Sequence, residues 1–346
     1  MAARRSRPRG DEAMLEGSTV LVTGGTGSFG HAFVSHVLER FDQLKLIVFS
    51  RDEMKQWDMA EKFRDEERLR FFIGDVRDRD RLYRAVDGVD YVIHAAATKI
   101  VPTAEYNPFE AVKTNINGAM NVIDSCIDRG VKRVVALSTD KASSPINLYG
   151  ATKLASDKMF VSANSYAGSQ DSRFAVVRYG NVMGSRGSVI PFFLDQKERG
   201  EKLRITDERM TRFMISLEQG VELVLEALKS TAGGEIFVKK IPSMGIMEIA
   251  EAVDPGGQRD VVGIRPGEKL HEQMISSEDS LTTRDYGDHF RIFPSLDGLG
   301  FRAREITPSK PVETGFRYAS DTNTEQMSIE ELQVWITRYR HLVGRI

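Results

Sequence analysis

Eight residues, Thr23-Gly24-Gly25-Thr26-Gly27-Ser28-Phe29-Gly30, constrain this chain more than anything else in it. They follow an apolar run, Thr19–Val22, that reads as a buried strand, and they open an amphipathic stretch, Gly30–Phe41, that reads as a helix. Glycines 24, 27 and 30 give G-x-x-G-x-x-G. The first permits a tight turn and the second lets backbone N–H groups approach a pyrophosphate. The third lets the helix pack close to the strand, and the helix N-terminus favours the anion. An ordinary glycine-rich turn could carry the same triplet. Its place directly after the first strand of a β-α-β series is what selects a dinucleotide loop.

That series continues along the chain. Lys45–Phe49, Arg70–Ile73, Asp90–Ala95, Arg133–Leu137 and Ala175–Arg178 read as strands, with helical stretches at Asp78–Val86, Asn115–Arg129 and Tyr149–Tyr166. Parallel neighbours need crossover connections, so the alternation predicts an α/β fold: a doubly wound parallel sheet with helices on both faces. After Asn181 the pattern loosens. Pro191–Glu198, Leu217–Leu228, Gly245–Val253, Glu268–Ile275 and Ser328–His341 read as helices of a smaller C-terminal α/β substrate domain over the carboxyl edge of the sheet, where ligands of open α/β sheets bind. The expected division is a basic disordered tail over 1–17, a dinucleotide-binding domain over 18–185, and a mainly substrate-binding part over 186–346, some of it free to return to the first sheet.

Composition narrows the function. The 346 residues carry 48 Lys plus Arg against 50 Asp plus Glu, which gives no electrostatic case for nucleic acid or an anionic membrane. The lone cysteine, Cys126, excludes a disulfide framework and a Cys-cluster zinc site, and the histidines show no metal-binding spacing. No apolar run approaches the roughly 18 residues that span a bilayer. Four arginines in the first 17 residues evoke a twin-arginine export signal, but the apolar stretch that should follow is missing. A soluble, cytoplasmic protein is expected.

The strand ends supply the chemistry. The second strand runs into Ser50-Arg51-Asp52-Glu53. NAD sites usually place a carboxylate at this strand end. Ser50 with Arg51 suits the 2′-phosphate of NADP instead, although Arg51 could be a solvated helix-start residue and Asp52 keeps NAD as the second choice. Asp75-Val76 is placed to meet an adenine, and Ala95-Ala96-Ala97 offers small residues where backbone must lie close to a dinucleotide. Thr139-Asp140-Lys141 ends the fifth strand. Tyr149 and Lys153 follow one helical turn apart, where an ammonium lowers a phenol pKa so that a tyrosinate can take a hydroxyl proton as hydride leaves carbon. His94 ends an apolar strand and reads as a satisfied core histidine. Phe71-Phe72 and Phe192-Phe193 read as core, and Trp335 with Tyr339 as the anchor of the last helix.

Together these motifs resemble the extended short-chain dehydrogenase/reductases (Rossmann type) that modify nucleotide sugars. Within them the chain is most similar to the soluble, inverting UDP-N-acetylglucosamine 4,6-dehydratases (5-epimerising) of the pseudaminic acid route. The matching segments include TGGTGSFG at 23–30, FSRDE at 49–53, GDVRD at 74–78, HAAATK at 94–99 and EYNPFEAVKTNI at 105–116. STDKASSPINLYGATK at 138–153, VRYGNVMGSRGSV at 177–189, ITDERMTRF at 205–213 and RPGEKLHE at 265–272 complete the match. T-D-K discriminates, since retaining dehydratases commonly carry Asp-Glu there and 4-epimerases lack the acid/base pair. Residues 254–264 look compressed against the family, and 281–316 carry no matching motif.

The resemblance implies that Tyr149, assisted by Lys153, takes the C4 hydroxyl proton as hydride passes to NADP. Lys141, with a depressed pKa, removes the C5 proton, protonated Asp140 donates to the departing C6 hydroxyl, and Thr139 positions the C4 oxygen. Hydride then returns to C6 and a proton adds to the opposite face of C5. Cofactor contacts are implied for Gly24, Thr26, Gly27, Ser28, Phe29 and Gly30, for Ser50, Arg51, Asp52, Glu53 and Lys55, and for Asp75, Val76, Ala95, Ala96, Ala97, Lys99, Tyr149 and Lys153. Substrate contacts are implied for Lys99, Asn181, Val189, Thr206, Arg265 and Glu268. From the residues alone, Arg265 and Glu268 read equally well as a surface ion pair in a Pro-Gly turn. A UDP-sugar substrate and a homo-oligomer follow from the same resemblance. A 4-epimerase, a retaining dehydratase, a catalytically silent NADP-binding regulator and a scaffold that merely binds nucleotide sugar are the competing readings.

Overall fold

The structure, a computed structural model, describes residues 14–168, 171–185, 187–294 and 308–340. The first half runs β1 (Thr19–Thr23), α1 (Ser28–Arg40), β2 (Lys45–Ser50), α2 (Glu53–Lys62), β3 (Leu69–Ile73), α3 (Arg79–Ala85) and β4 (Tyr91–His94). There follow α4 (Val101–Tyr106), α5 (Pro108–Val112), α6 (Gly118–Asp128), β5 (Arg133–Leu137), α7 (Leu148–Tyr166) and β6 (Arg173–Arg178). The second half contains β7 (Asn181–Val182), α8 (Val189–Glu198), β8 (Leu203–Ile205), β9 (Thr211–Ile215), α9 (Leu217–Ser230), β10 (Ile236–Lys239), β11 (Ser243–Gly245) and α10 (Ile246–Val253). It closes with β12 (Arg259–Val261), β13 (Gln273–Ile275), β14 (Thr283–Asp285), β15 (His289–Ile292), β16 (Lys310–Pro311), β17 (Tyr318–Ala319) and α11 (Ile329–Tyr339).

Ten strands form one sheet in the order β16-β14-β15-β10-β6-β5-β4-β1-β2-β3. The run from β3 to β10 is parallel, whereas β15, β14 and β16 add antiparallel. Central strands covered on both faces must be apolar throughout, and Val20–Val22, Val92–Ile93 and Val134–Ala136 are accordingly buried. The reversal of strand order between β1 and β4 opens the crevice at the carboxyl ends, the expected doubly wound arrangement. A second apolar core, built from α8, α10, α11 and β8, contains Phe193, Leu203, Ile205, Ile249 and Leu332 and forms the smaller lobe.

Several expectations need correction. Met14–Gly17 is a turn and Leu15 is buried in the main core, so the tail expected to end at 17 is ordered from 14; residues 1–13 lie outside the described residues. The second half returns to the first sheet, a return that the expected division left open: α9 packs on α1, β10 pairs with β6, and β14–β16 extend the edge. The segment 281–316 supplies those outer strands, with 295–307 outside the described residues. The helix read over Asn115–Arg129 opens in a π-helical turn, Lys113–Asn117, and is α-helical over Gly118–Asp128. Glu268–Ile275 is not a helix: Gln273–Ile275 pairs antiparallel with Tyr318–Ala319, and Leu270 accepts from the Thr211 N–H, tertiary partners that override a local helical spacing. Phe193 is core but Phe192 is 38% exposed. Trp335 and Tyr339 do pair, ring to ring at 5.2 Å.

His94 is the core histidine expected, its Nδ1 2.8 Å from Thr23 Oγ1, and burial pushes its pKa down to about 3. The unfolded chain therefore binds a proton near pH 6.5 that the folded chain refuses until about pH 3. Stability from this group is complete above pH 6.5 and falls on acidification by about 1.4 kcal/mol per pH unit. Chemical denaturation at pH 7 and pH 5 should show a smaller acid loss for His94→Asn than for the parent; equal losses would refute the assignment.

Candidate active site

The glycine loop sits where β1 meets α1. Gly24 has φ +65°, and a Cβ there would lie 2.8 Å from the Ala96 backbone, so only glycine lets the ends of β1 and β4 approach this closely. Gly27 caps α1, whose first turn carries no acid, and a Cβ at Gly30 would overlap the Gly25 carbonyl. Thr26, Ser28 and Phe29 are half-buried beside this cradle. Unobstructed helix N–H groups, a loop that glycine alone can form and a positive dipole end fit a dinucleotide pyrophosphate.

At the next strand end, Ser50 is buried and its hydroxyl accepts from Gln56 Nε2 at 3.0 Å. Arg51 is two-thirds exposed, 3.9 Å from Asp75. Asp52 caps α2 by accepting the Lys55 N–H at 3.0 Å, while Glu53 and Lys55 are exposed. Asp75 is held by Arg77 at 2.7 Å, and Val76 is buried under Gly118. Ala95, Ala96 and Ala97 continue from β4 toward the exposed Lys99.

Thr139-Asp140-Lys141 forms a tight turn at the end of β5, in which Thr139 Oγ1 accepts the Lys141 N–H at 3.3 Å and donates to Asp140 Oδ1 at 2.9 Å. The Asp140 N–H reaches the Tyr179 carbonyl at 3.3 Å, which brings the Asn181 strand alongside. Tyr149 and Lys153 lie on α7, capped by Asn147, and the Tyr149 hydroxyl is hydrogen-bonded to Thr139. Lys153 Nζ donates to the Leu137 carbonyl at 2.7 Å.

The electrostatics differ from the sequence expectation at two points. Burial pushes the Tyr149 phenol up to about 12, although Lys141 and Thr139 act the other way. Burial also pushes Lys153 itself down. Lys141 is not a depressed lysine. Burial disfavours its ammonium and Arg212 repels it, but Asp140 at 3.1 Å and Glu272 at 3.2 Å outweigh both and hold its pKa above the ordinary lysine range. Burial, then the Glu272 charge, pushes Asp140 up, against the pull of Lys141 and Thr139.

Among the proposed substrate contacts, Arg265 and Glu268 form a turn rather than an ion pair, with the Arg265 N–H donating to Glu268 Oε2 at 3.2 Å. The Gly267 carbonyl of that turn accepts from Asn147 Nδ2 at 2.8 Å, which ties it to the helix cap two residues before Tyr149. Val189 starts α8, and Thr206, its hydroxyl 3.1 Å from Met210 sulfur, follows β8 in the smaller lobe. Sequence reasoning missed Glu272 and Arg212, both buried against Lys141; each lies in a recognised segment, but nothing local marks either as facing the T-D-K turn. Among the described residues no helix is long and apolar enough to cross a membrane.

Comparison with known proteins agrees with this geometry. The family model described as polysaccharide biosynthesis protein matches residues 20–294. A UDP-N-acetylglucosamine 4,6-dehydratase (inverting) from Campylobacter jejuni is 52% identical over 331 residues, 92% of this chain and 97% of the relative. A UDP-glucose 4-epimerase from Rickettsia canadensis is 42% identical over 92% of this chain and 95% of its own length. The X-ray structure of Pen from Bacillus thuringiensis superposes with a TM-score of 0.86 at 39% identity, covering 94% of this chain and 98% of that one. The dTDP-glucose 4,6-dehydratase DesIV from Streptomyces venezuelae, a double mutant solved with NAD and DAU bound, superposes with a TM-score of 0.65 at 25% identity over 72% of this chain and 86% of that one. The sheet order, the glycine cradle and these likenesses converge: the chain belongs to the polysaccharide biosynthesis protein family, within the extended short-chain dehydrogenase/reductases.

Proposed function

We propose that this protein is a UDP-N-acetylglucosamine 4,6-dehydratase that inverts C5, a hydro-lyase giving a UDP-2-acetamido-2,6-dideoxy-hexos-4-ulose, with tightly held NADP as cofactor. The observation that carries the reading is the carboxyl–amine pair of Asp140 and Lys141, 3.1 Å apart at the sheet edge beside Tyr149. A 4-epimerase has no C5 proton to move and no use for that pair. The 52% identity to an enzyme of this name supports it. For the cofactor, the 23–30 loop would hold the pyrophosphate, Asp75 and Val76 would border the adenine, and Arg51 beside Ser50 would meet a 2′-phosphate. When bound, the nicotinamide supplies reversible hydride acceptance.

The chain's own groups handle the protons. Tyr149 Oη takes the C4 hydroxyl proton in its phenolate form, which the buried Lys153 ammonium stabilises. Once C4 is a ketone the C5 proton is acidic. A shift of one proton from Lys141 Nζ to Asp140 Oδ1 turns the ion pair into a neutral pair, in which Lys141 is the base for C5 and Asp140 the acid for the departing C6 hydroxyl. Arg265 suits the UDP pyrophosphate, and Glu268 a ribose hydroxyl; Lys99, Asn181, Val189 and Thr206 complete the pocket. A homo-oligomer in the cytoplasm belongs to this reading, its oligomeric part supported by the exposed Tyr106 and Phe109 of α4 and α5.

The test is incubation of the purified protein with UDP-GlcNAc in deuterated water, followed by proton NMR, with the nucleotide released on denaturation identified alongside. The expected product is a 4-keto-6-deoxy sugar with deuterium at C5 and inverted coupling, and the expected nucleotide is NADP. Unchanged C5 configuration would convert the reading to a retaining dehydratase. Change at C4 alone would make it an epimerase, and release of NAD would reverse the cofactor assignment.

A further inference from the structure

Lys141 has more than one acidic neighbour. Its Nζ lies between Asp140, on its own turn, and Glu272, which enters from the segment before β13 and is 3% exposed. Glu272 is held firmly: its N–H donates to Ser320 Oγ at 2.9 Å and its carbonyl accepts the Ser320 N–H at 2.8 Å. One carboxylate oxygen faces Lys141 and, at 3.9 Å, Arg212 of β9. The other oxygen has no hydrogen-bond partner, and neither does Asp140 Oδ2. Leaving a buried carboxylate oxygen unpaired is costly, so a structural role alone does not account for this residue. The other charged or titratable groups facing Lys141 are Tyr149 from α7 and Lys269, whose Nζ donates to the Ser143 carbonyl at 2.6 Å.

We propose that Glu272 is a positioning residue of this reaction: it holds Lys141 Nζ against Asp140 and stabilises the ammonium that forms when Lys141 takes the C5 proton. The inference rests on the dehydratase reading above. In the step concerned, the C5–H bond breaks, its proton moves to Lys141 and its electron pair enters the enolate of the C4 ketone; that pair then forms the C5=C6 double bond as the C6–O bond breaks and the hydroxyl leaves as water with the proton of Asp140. Lys141 then carries a new positive charge 3.2 Å from Glu272. An opposite charge at such range strengthens a base.

Two variants test it. Glu272→Gln keeps the shape and removes the charge, whereas Glu272→Asp keeps the charge. In protein labelled with 15N at lysine Nζ, without substrate, Glu272→Gln should lower the titration of Lys141 by about 1–3 pH units, and Glu272→Asp should stay near the parent. With UDP-GlcNAc, Glu272→Gln should lose at least about tenfold in kcat and in C5 deuterium uptake, with KM nearly unchanged, and Glu272→Asp should recover much of both. An unmoved Lys141 titration in folded Glu272→Gln, or equal losses in both variants, would overturn the proposal. A moved titration in a protein whose parent form does not dehydrate UDP-GlcNAc would remove the reaction reading while upholding the hold of Glu272 on Lys141. Should Glu272→Gln fail to fold, the comparison of Glu272→Asp with the parent decides: full parental titration and kcat support the charge, and loss of kcat with an unmoved titration refutes it.

Discussion

Tyr149→Phe should reduce turnover about 10²–10⁴-fold, the usual contribution of a positioned acid–base group, while the fold and nucleotide binding survive. The Tyr149 ring packs with Ala104 and Ala111, and phenylalanine keeps that packing. The lost hydroxyl leaves Thr139 still bonded to Asp140 at 2.9 Å, so the stability cost is confined to about one hydrogen bond, 0.5–1.5 kcal/mol. Product formation by NMR and nucleotide content by absorbance would be measured on the same preparation. Turnover within tenfold of the parent would remove Tyr149 from the chemistry. Loss of nucleotide together with activity would instead make it a binding residue.

Arg178→Met should destabilise the protein by about 3–5 kcal/mol, the cost of stranding a buried charge. Arg178 ends β6 at 2% exposure, 3.2 Å from Asp157 of α7, itself 1% exposed. Its Nη1 also donates to the Met274 carbonyl at 2.8 Å, so one guanidinium joins the sheet, α7 and β13. Ser138 Oγ donates to the same Asp157 oxygen at 2.6 Å and would remain as a neutral partner. Removing both charges, Arg178→Met with Asp157→Asn, should recover most of the loss, because a well-packed neutral pair often equals a buried ion pair. Chemical denaturation of the single and double variants gives the comparison. A loss below about 1 kcal/mol in the single variant would show the pair to be solvated or dispensable.

The parts of this molecule that could be read from sequence are those whose signal is local. The glycine loop, the apolar strands and the spacing of Tyr149 to Lys153 depend on neighbours within one turn or one strand, and they stand where expected. What escaped depends on residues far apart in the chain. The protonation of Lys141 is set by Glu272, 131 positions later, and the pairing of Gln273–Ile275 by Tyr318–Ala319. Glu268–Ile275 carries good helix formers, so local propensity pointed the wrong way until the second strand was in place. Nor does the four-residue spacing of Tyr149 and Lys153 say that Lys153 Nζ turns to the Leu137 carbonyl.

The placement of β10 between β6 and β15 also bears on how the chain is made. A ribosome delivers the glycine loop, the T-D-K turn and the Tyr–Lys helix well before residue 236, so these elements exist while β6 still presents a bare edge. Such an edge is a template for pairing with other chains. The nascent protein must therefore wait for β10 and the antiparallel strands that follow before its sheet is closed, and truncation after the Rossmann strands would leave an adhesive half rather than a small cofactor-binding module.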